Sequence, residues 1–420
     1  MTDLISKKIR GFRDILPSES KKFLHLENLI NKTAPLFNIN QIRLPVLESI
    51  NLFKRSIGET SDIVTKEMYA FEDRNKETVC MIPEGTASCV RLALENNLIF
   101  DRGIKKNRFY YYSPMFRHER PQKGRYRQFS QFGVEFFGEE SFTEDIDLLL
   151  LSKNIFENLN LKDIDLFINS IGTSNDRNKY SDILQTYFKG YSKNFTEQQL
   201  NTLIKNPMRL LDSKDSTLTD IIADAPLIND YLNKDSQLKI DNIMNTLTNL
   251  GIKYTKDTKL VRGLDYYNDL VFEWKTKRLG TQDAICAGGR YDDLSNIIGG
   301  HNIPAVGLAM GMDRIVELMN IESNEFTIGL SVMTNSQKDL INLSNIVRKA
   351  NHEFRFIQMD LSKSLSKQIK IAIKASCDLL IIVGNDEISN NTLTIKYLKE
   401  EIDDKSILIN DLSELLNGYK

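Results

Sequence analysis

The chain has 420 residues, 41% of them hydrophobic, enough for two or three domains with cores of their own. With 55 Lys and Arg against 57 Asp and Glu the net charge is −2, which excludes a general nucleic-acid coat, so any phosphate partner must meet a local basic patch. Cys80, Cys89, Cys286 and Cys377 form no CxxC pair, and His25, His118, His301 and His352 have no ligand spacing, which argues against zinc and for buried thiols in a reducing compartment.

At the N-terminus MTDLISKKIRGFRDILP lacks an apolar h-region, and no apolar run approaches membrane-spanning length. The expectation is a cytoplasmic protein without a membrane partner. Further on, RFYYYSPMF and QFSQFGVEFFG read as two strands of an antiparallel hairpin. Between and overlapping them runs FRHERPQKGRYRQF, residues 116–129, with four Arg, one Lys and one His. Its charged loop is expected at Glu119–Arg127.

Alternation on the second strand places Phe132, Val134 and Phe136 on one face, suited to a core. Phe129, Gln131, Gly133 and Glu135 share the other. That face makes a poor core and a good ligand floor: the glycine lets a ligand lie on the backbone, and Gln and Glu offer hydrogen bonds. Arg117 alternates away from Phe116 and reaches the same floor. Its planar fork suits phosphate or carboxylate, and Phe129 suits a stacked base. A charge run is usually a solvated face. The inward polar alternation favours a site.

Residues of about 171–255 are polar and helical in pattern, as in FTEQQLNTLIKN and DSQLKIDNIMNTLTNLG, and read as an insertion between two halves of one domain. There is no GxxxxGK[ST] and no GxGxxG after a strand, so phosphates would have to be held by side chains. Three later stretches fit that need. LVRGLDYYNDLVFEW carries Arg262, Tyr266 and Tyr267; CAGGRYDDL carries Arg290 and Tyr291; VGLAMGMDRIVELM reads as strand, glycine turn and a helix with Arg314 in its first turn.

From residue 328 apolar strands alternate with amphipathic helices, which predicts a small α/β domain. Lys363, Lys367, Lys370 and Lys374 are spaced to line one helix face, with Leu361, Leu365, Ile369 and Ala372 opposite. Such a stripe is either a solvated face or a phosphate track.

Taken together these stretches resemble the class II aminoacyl-tRNA synthetases. FRHERPQKGRYRQF resembles motif 2 of that class, GLAMGMDR motif 3, and FNINQIRLPVLE with Pro45 motif 1, which builds the dimer interface. LVRGLDYYN and AGGRYD are similar to the signatures of the histidyl-tRNA synthetase family, and PEGT at Pro83–Thr86 and RGFRDILP at Arg10–Pro17 fit it as well. The resemblance covers nearly the whole chain. SQF at 130–132 departs from the more usual His-containing version without removing a group given a role.

The resemblance implies an α/β (α+β) architecture: a catalytic domain at 1–325 built on an antiparallel sheet flanked by helices, interrupted by the helical insertion, then an α/β anticodon-binding domain at 326–420. It implies ligation of L-histidine to tRNA(His) through histidyl-adenylate, with ATP as substrate accompanied by Mg2+, no zinc, and a homodimer. Carried over by motif, Glu84, Thr86 and Gln131 hold the α-amino group of histidine. Glu135 and Tyr267 read its imidazole as a pair, while Tyr266 and Tyr291 shape the pocket. Arg117 grips the α-phosphate, Arg125 and Arg314 the remaining phosphates, and Phe129 stacks on adenine. Arg262 also faces the α-phosphate, which makes it and Arg117 the catalytic candidates. Arg120 and Gln122 face the tRNA acceptor end. One rival is a silent paralogue that binds histidine and regulates another enzyme, and such proteins typically lack the motif 2 arginines or the C-terminal domain; the other is a synthetase for another amino acid, whose pocket should not carry LVRGLDYY followed by AGGRYD.

Overall fold

The computed structural model describes residues 7–58, 61–99, 107–122, 124–213, 215–280, 283–320, 326–334, 336–350 and 354–419. Lys123 of the basic loop and the first six residues lie outside them. The chain divides into two compact units, Met1–Asn320 and Ile321–Lys420. No helix among the described residues is long and apolar enough to cross a membrane.

The first unit opens on α1 (Pro17–Thr33), whose proline stands at the first position, where a missing N–H costs no hydrogen bond. After the two-residue strand β1 (Asn40–Gln41), the strands β2 (Leu47–Ser49), β3 (Ala70–Glu72) and β4 (Thr78–Met81) make a small sheet in the order β2-β4-β3. Helices α2 (Ile50–Ile57) and α3 (Thr86–Glu95) belong to this region.

The expected hairpin is present as β5 (Asn107–Phe116) and β6 (Gln128–Phe137), antiparallel, with Phe116 opposite Gln128. Phe132, Val134 and Phe136 are buried. Each such side chain taken from water contributes roughly 1.5–3 kcal/mol. Next come α4 (Phe142–Asn158), capped by the Ser141 hydroxyl, and β7 (Asp165–Ser170).

Helices follow: α5 (Ser174–Lys189), α6 (Glu197–Lys205), α7 (Thr219–Ala223) and α8 (Lys234–Asn249). Thr173 with Asp176, and Thr196 with Gln199, form the capping boxes that start α5 and α6. The chain returns to the sheet as β8 (Thr255–Lys256), β9 (Asn268–Lys275) and β10 (Ala284–Arg290). It then passes the short α9 (Leu294–Ile297) and ends with β11 (Ala305–Gly311) and α10 (Met312–Leu318). The eight-stranded sheet is ordered β1-β5-β6-β11-β10-β9-β7-β8. Its two edge pairs are parallel and the five between are antiparallel.

The second unit is a five-stranded sheet in the order β13-β12-β14-β15-β16. Its elements in chain order are β12 (Thr327–Val332), α11 (Gln337–Ala350), β13 (Arg355–Gln358), α12 (Leu365–Lys374), β14 (Leu379–Val383), α13 (Asn385–Asn390), β15 (Thr392–Tyr397), β16 (Lys405–Leu408) and α14 (Leu412–Asn417). Strands β13, β12 and β14 are parallel, and β15 and β16 are antiparallel additions. Ile328, Leu330, Ile381 and Val383 are fully buried, as central strands covered on both faces require.

The lysine stripe is shorter than its spacing suggests. Ser364 is the N-cap of α12, so Lys363 precedes the helix and lies 3.9 Å from Asp360. Lys367, Lys370 and Lys374 remain on the helix and are exposed.

Candidate active site

A cavity of about 470 Å³ opens over β6, β10 and β11. Arg117, Arg125, Arg262 and Arg314 line it together with Phe129 and Gln131. Each arginine comes from a different stretch of chain or a different end of the basic loop, and each is steered by fixed acceptors. Arg117 follows the last residue of β5, donates from Nε to the Pro83 carbonyl at 2.8 Å and stands 5.4 Å from the Phe129 ring. Arg125 pairs with Glu119. Arg262 pairs with Glu273 of β9 and faces the Tyr267 ring at 5.8 Å. Arg314 donates from Nε to the Gly124 carbonyl at 3.1 Å and to the Ala284 carbonyl from Nη1.

Four cations around one cavity repel one another and are partly cut off from water. Burial, and after it neighbouring arginines, hold Arg314 below the usual arginine range. Burial does the same to Arg117 and Arg125, against the pull of Glu67. A polyanion entering the cavity would relieve both effects. The carbonyl oxygen of the Gln131 side chain is buried here without a partner, and buried acceptors in that state are uncommon.

Beneath the cavity lies a closed network. Glu135 is fully buried, and its carboxylate accepts from Thr86 Oγ1 at 2.8 Å, from Tyr111 OH at 2.9 Å and from Tyr291 OH. Burial pushes Glu135 up to about 8, against the pull of those three hydroxyls. Glu84 accepts from the backbone N–H of Thr86 at 2.7 Å and of Ala87 at 3.0 Å, so it anchors the first turn of α3. Tyr266 OH lies 3.4 Å from Glu84, and the rings of Tyr266 and Tyr267 are 4.7 Å apart.

Several expectations need correcting on this geometry. The floor is not open at Gly133. The register that pairs Phe116 with Gln128 also sets Tyr111 opposite Gly133, and a Cβ at 133 would come within 2.1 Å of the Tyr111 ring. The glycine makes room for a tyrosine of the protein itself. Glu135 and Tyr267 do not touch each other directly: Glu135 accepts from Thr86, Tyr111 and Tyr291, while Tyr267 stands beside Arg262. Arg290, grouped by sequence with the phosphate-binding arginines, is withdrawn from the cavity. It is 1% exposed, donates from Nε to Asp145 at 3.0 Å and from Nη2 to the Ser141 carbonyl at 2.9 Å, and pairs with Asp292. A buried cation of this kind holds β10 to α4.

Arg120 and Gln122 lie exposed in the loop, away from the cavity lining. A tight turn joins Gln122 and Arg125 by reciprocal backbone hydrogen bonds. Sequence reasoning missed Tyr111, Glu119, Glu273 and Asp313. The hairpin register could have found Tyr111. Nothing local marks Glu273 or Asp313 as partners of distant arginines. Asp313 accepts from the Ser130 backbone N–H at 2.6 Å and pairs with Arg13, which also pairs with Glu19 and stacks on Tyr126 at 4.4 Å.

The profile of one protein family, histidyl-tRNA synthetase, matches residues 11–315. A histidine–tRNA ligase of Francisella philomiragia is 42% identical over 416 residues, covering 97% of each chain. One from Hydrogenovibrio crunogenus is 40% identical, covering 97% of this chain and 96% of its own. Among solved structures, apo histidyl-tRNA synthetase of S. aureus superposes with a TM-score of 0.81 at 29% identity, covering 98% of this chain and 99% of its own. A Bacillus halodurans protein described as an ATP phosphoribosyltransferase regulatory subunit/histidyl-tRNA synthetase shares the fold, with a TM-score of 0.64 at 22% identity over 91% of this chain and 99% of its own.

Proposed function

The chain belongs to the histidyl-tRNA synthetase family, and on that premise we propose how the cavity and the network beneath it divide the work of a histidine–tRNA ligase. The activity consumes ATP and joins histidine to tRNA in two steps. The histidine carboxylate attacks the α-phosphorus of ATP, the bond to the β-phosphate breaks, and pyrophosphate leaves with the electron pair. The terminal ribose hydroxyl of tRNA(His) then attacks the adenylate carbonyl and expels AMP. Both nucleophiles belong to substrates, so the protein's part is placement and charge stabilisation.

The observation that carries the reading is the convergence of Arg117, Arg125, Arg262 and Arg314 on one cavity that also holds Phe129 and Gln131. Phosphates of ATP, arriving as its Mg2+ complex, would meet these guanidiniums, with Arg117 and Arg262 at the α-phosphate, Arg125 and Arg314 along the remainder and Phe129 under adenine. The unpartnered Gln131 oxygen suits the α-ammonium of histidine. Glu84 and Thr86 would complete that subsite, Glu84 through a charge held in place by two backbone N–H groups. Imidazole recognition by Glu135 and Tyr267 would draw on the acceptor capacity that three hydroxyls leave on the Glu135 carboxylate, with Tyr266 and Tyr291 as walls. A site built to pair polar groups rejects amino acids that leave them unpaired.

We assign the tRNA acceptor end to Arg120 and Gln122, both exposed in the loop, and the anticodon to the second unit, where the exposed Lys367, Lys370 and Lys374 are either a solvated face or a phosphate track. We assign catalysis to 1–325, with the insertion at about 171–255, and anticodon binding to 326–420. Leu16, Leu24 and Leu36, more than half exposed in and around α1, suit a homodimer contact. The protein is expected in the cytoplasm, without zinc.

The test is histidine-dependent exchange of labelled pyrophosphate into ATP, with the other amino acids as controls. Exchange with histidine alone supports the reading. A folded protein that binds histidine and shows no exchange would instead be a regulatory paralogue.

A further inference from the structure

Arg262 sits on a segment with no regular structure. Residues 261–267 lie between β8 and β9 and enter neither helix nor strand, so side-chain ties decide where the segment runs. Arg262 pairs with Glu273, and Tyr266 OH approaches Glu84. A third tie comes from the insertion. Asp265 Oδ1 accepts from Asn206 Nδ2 at 3.0 Å and from Arg209 Nη2 at 2.8 Å. The same Arg209 nitrogen lies 3.4 Å from the Gly263 carbonyl.

The other oxygen of Asp265 rests over Gly58, whose φ is +92° and where a Cβ would come within 2.4 Å of it. Asp265 is therefore boxed between the end of α2 and the insertion. The sequence explains why the insertion reaches it. Pro207 cannot continue α6, so the chain turns at Asn206 into a 3-10 segment, Pro207–Asp212, that carries Arg209. A second cavity of about 270 Å³ is lined by Arg177, Arg209, Asp265, Arg262 and Tyr267. Arg262 thus borders two cavities.

We propose that Asn206 and Arg209 are positioning residues for adenylation: by holding Asp265 they keep Arg262 in the phosphate cavity, so the insertion sets the geometry of the reacting end. The inference rests on Arg262 acting at the α-phosphate, and it concerns residues outside the lining of the phosphate cavity. Displacing a reacting group by about 1 Å can cost on the order of 100-fold in rate.

The experiment is histidine-dependent pyrophosphate exchange on the full chain for Arg209→Ala, Arg209→Lys, Asn206→Ala, Arg262→Ala and Arg209→Ala/Arg262→Ala, with thermal melts of each. The expected result is a fall in kcat of roughly 10- to 100-fold for Arg209→Ala, with KM for ATP and histidine changed far less and partial rescue by lysine. In the Arg262→Ala background the same substitution should add almost nothing, because its effect passes through Arg262. A wild-type kcat for Arg209→Ala, or an undiminished fall in the Arg262→Ala background, would overturn the proposal. If Arg209→Ala melts below the assay temperature, Asn206→Ala alone and with Arg262→Ala decides by the same comparison at a smaller amplitude. Arg262→Ala at wild-type rate would overturn the role of Arg262 itself, a different failure.

Discussion

Three hydroxyls surround Glu135, yet burial outweighs them and raises its carboxyl to about 8 from an ordinary value near 4.5. Between those two values the folded protein holds a proton that the unfolded chain has lost, so stability falls as pH rises through this window. Below it both states are protonated and the effect vanishes. Burial also raises Glu84, and raises Asp145 to about 6, with the same sign. Thermal melts from pH 5 to 9 should show Glu135→Gln losing part of the decline that the parent shows, and identical slopes would refute the assignment. At Gly133 the expectation is steric. Alanine there must push against Tyr111, and overpacking of this kind costs roughly 1–3 kcal/mol, read as a lowered denaturation midpoint. Arg262→Ala should slow adenylation roughly 10- to 100-fold while histidine affinity, measured by calorimetry, changes little, as expected for a contact that matters most in the transition state.

At the scale of elements, the β5–β6 hairpin does two jobs with one alternation. Its Phe132 face is buried beside Tyr110 and Tyr112 of β5, and its Gln131 face supports the cavity and the Glu135 network. The N-terminal segment bears on the same region. Arg13 links Glu19 of α1 to Asp313 of α10, and Asp313 in turn holds the backbone of Ser130 on β6. Arg13→Ala should leave Asp313 without its cation and cost about 1.5–3 kcal/mol of stability. Because Asp313 lines the cavity beside Arg314, KM for ATP should rise as well. Denaturant titration and ATP-dependent exchange check the two parts separately.

At the scale of the molecule, the units Met1–Asn320 and Ile321–Lys420 have separate cores. All the cavity arginines lie in the first. A chain ending at residue 325 is therefore expected to keep histidine-dependent pyrophosphate exchange and to lose most charging of tRNA. Loss of both activities from a folded fragment, or full charging, would count against the division of labour.

Local rules carried far in this protein. Period-two alternation placed Phe132 and Gln131 on opposite faces, the polar helical pattern marked the insertion, and Arg117 and Arg314 were legible because they sit at the ends of regular elements. Other features were decided only when elements distant in sequence met. Thr86, Tyr111 and Tyr291 reach Glu135 from three separate stretches, Arg290 is consumed by Asp145, and Asp265 is claimed by Asn206 and Arg209. The reason is physical. Backbone periodicity repeats over a few residues and shows in any short window. A buried charge must instead be satisfied by whichever partners the packing of the whole sheet brings within about 3 Å.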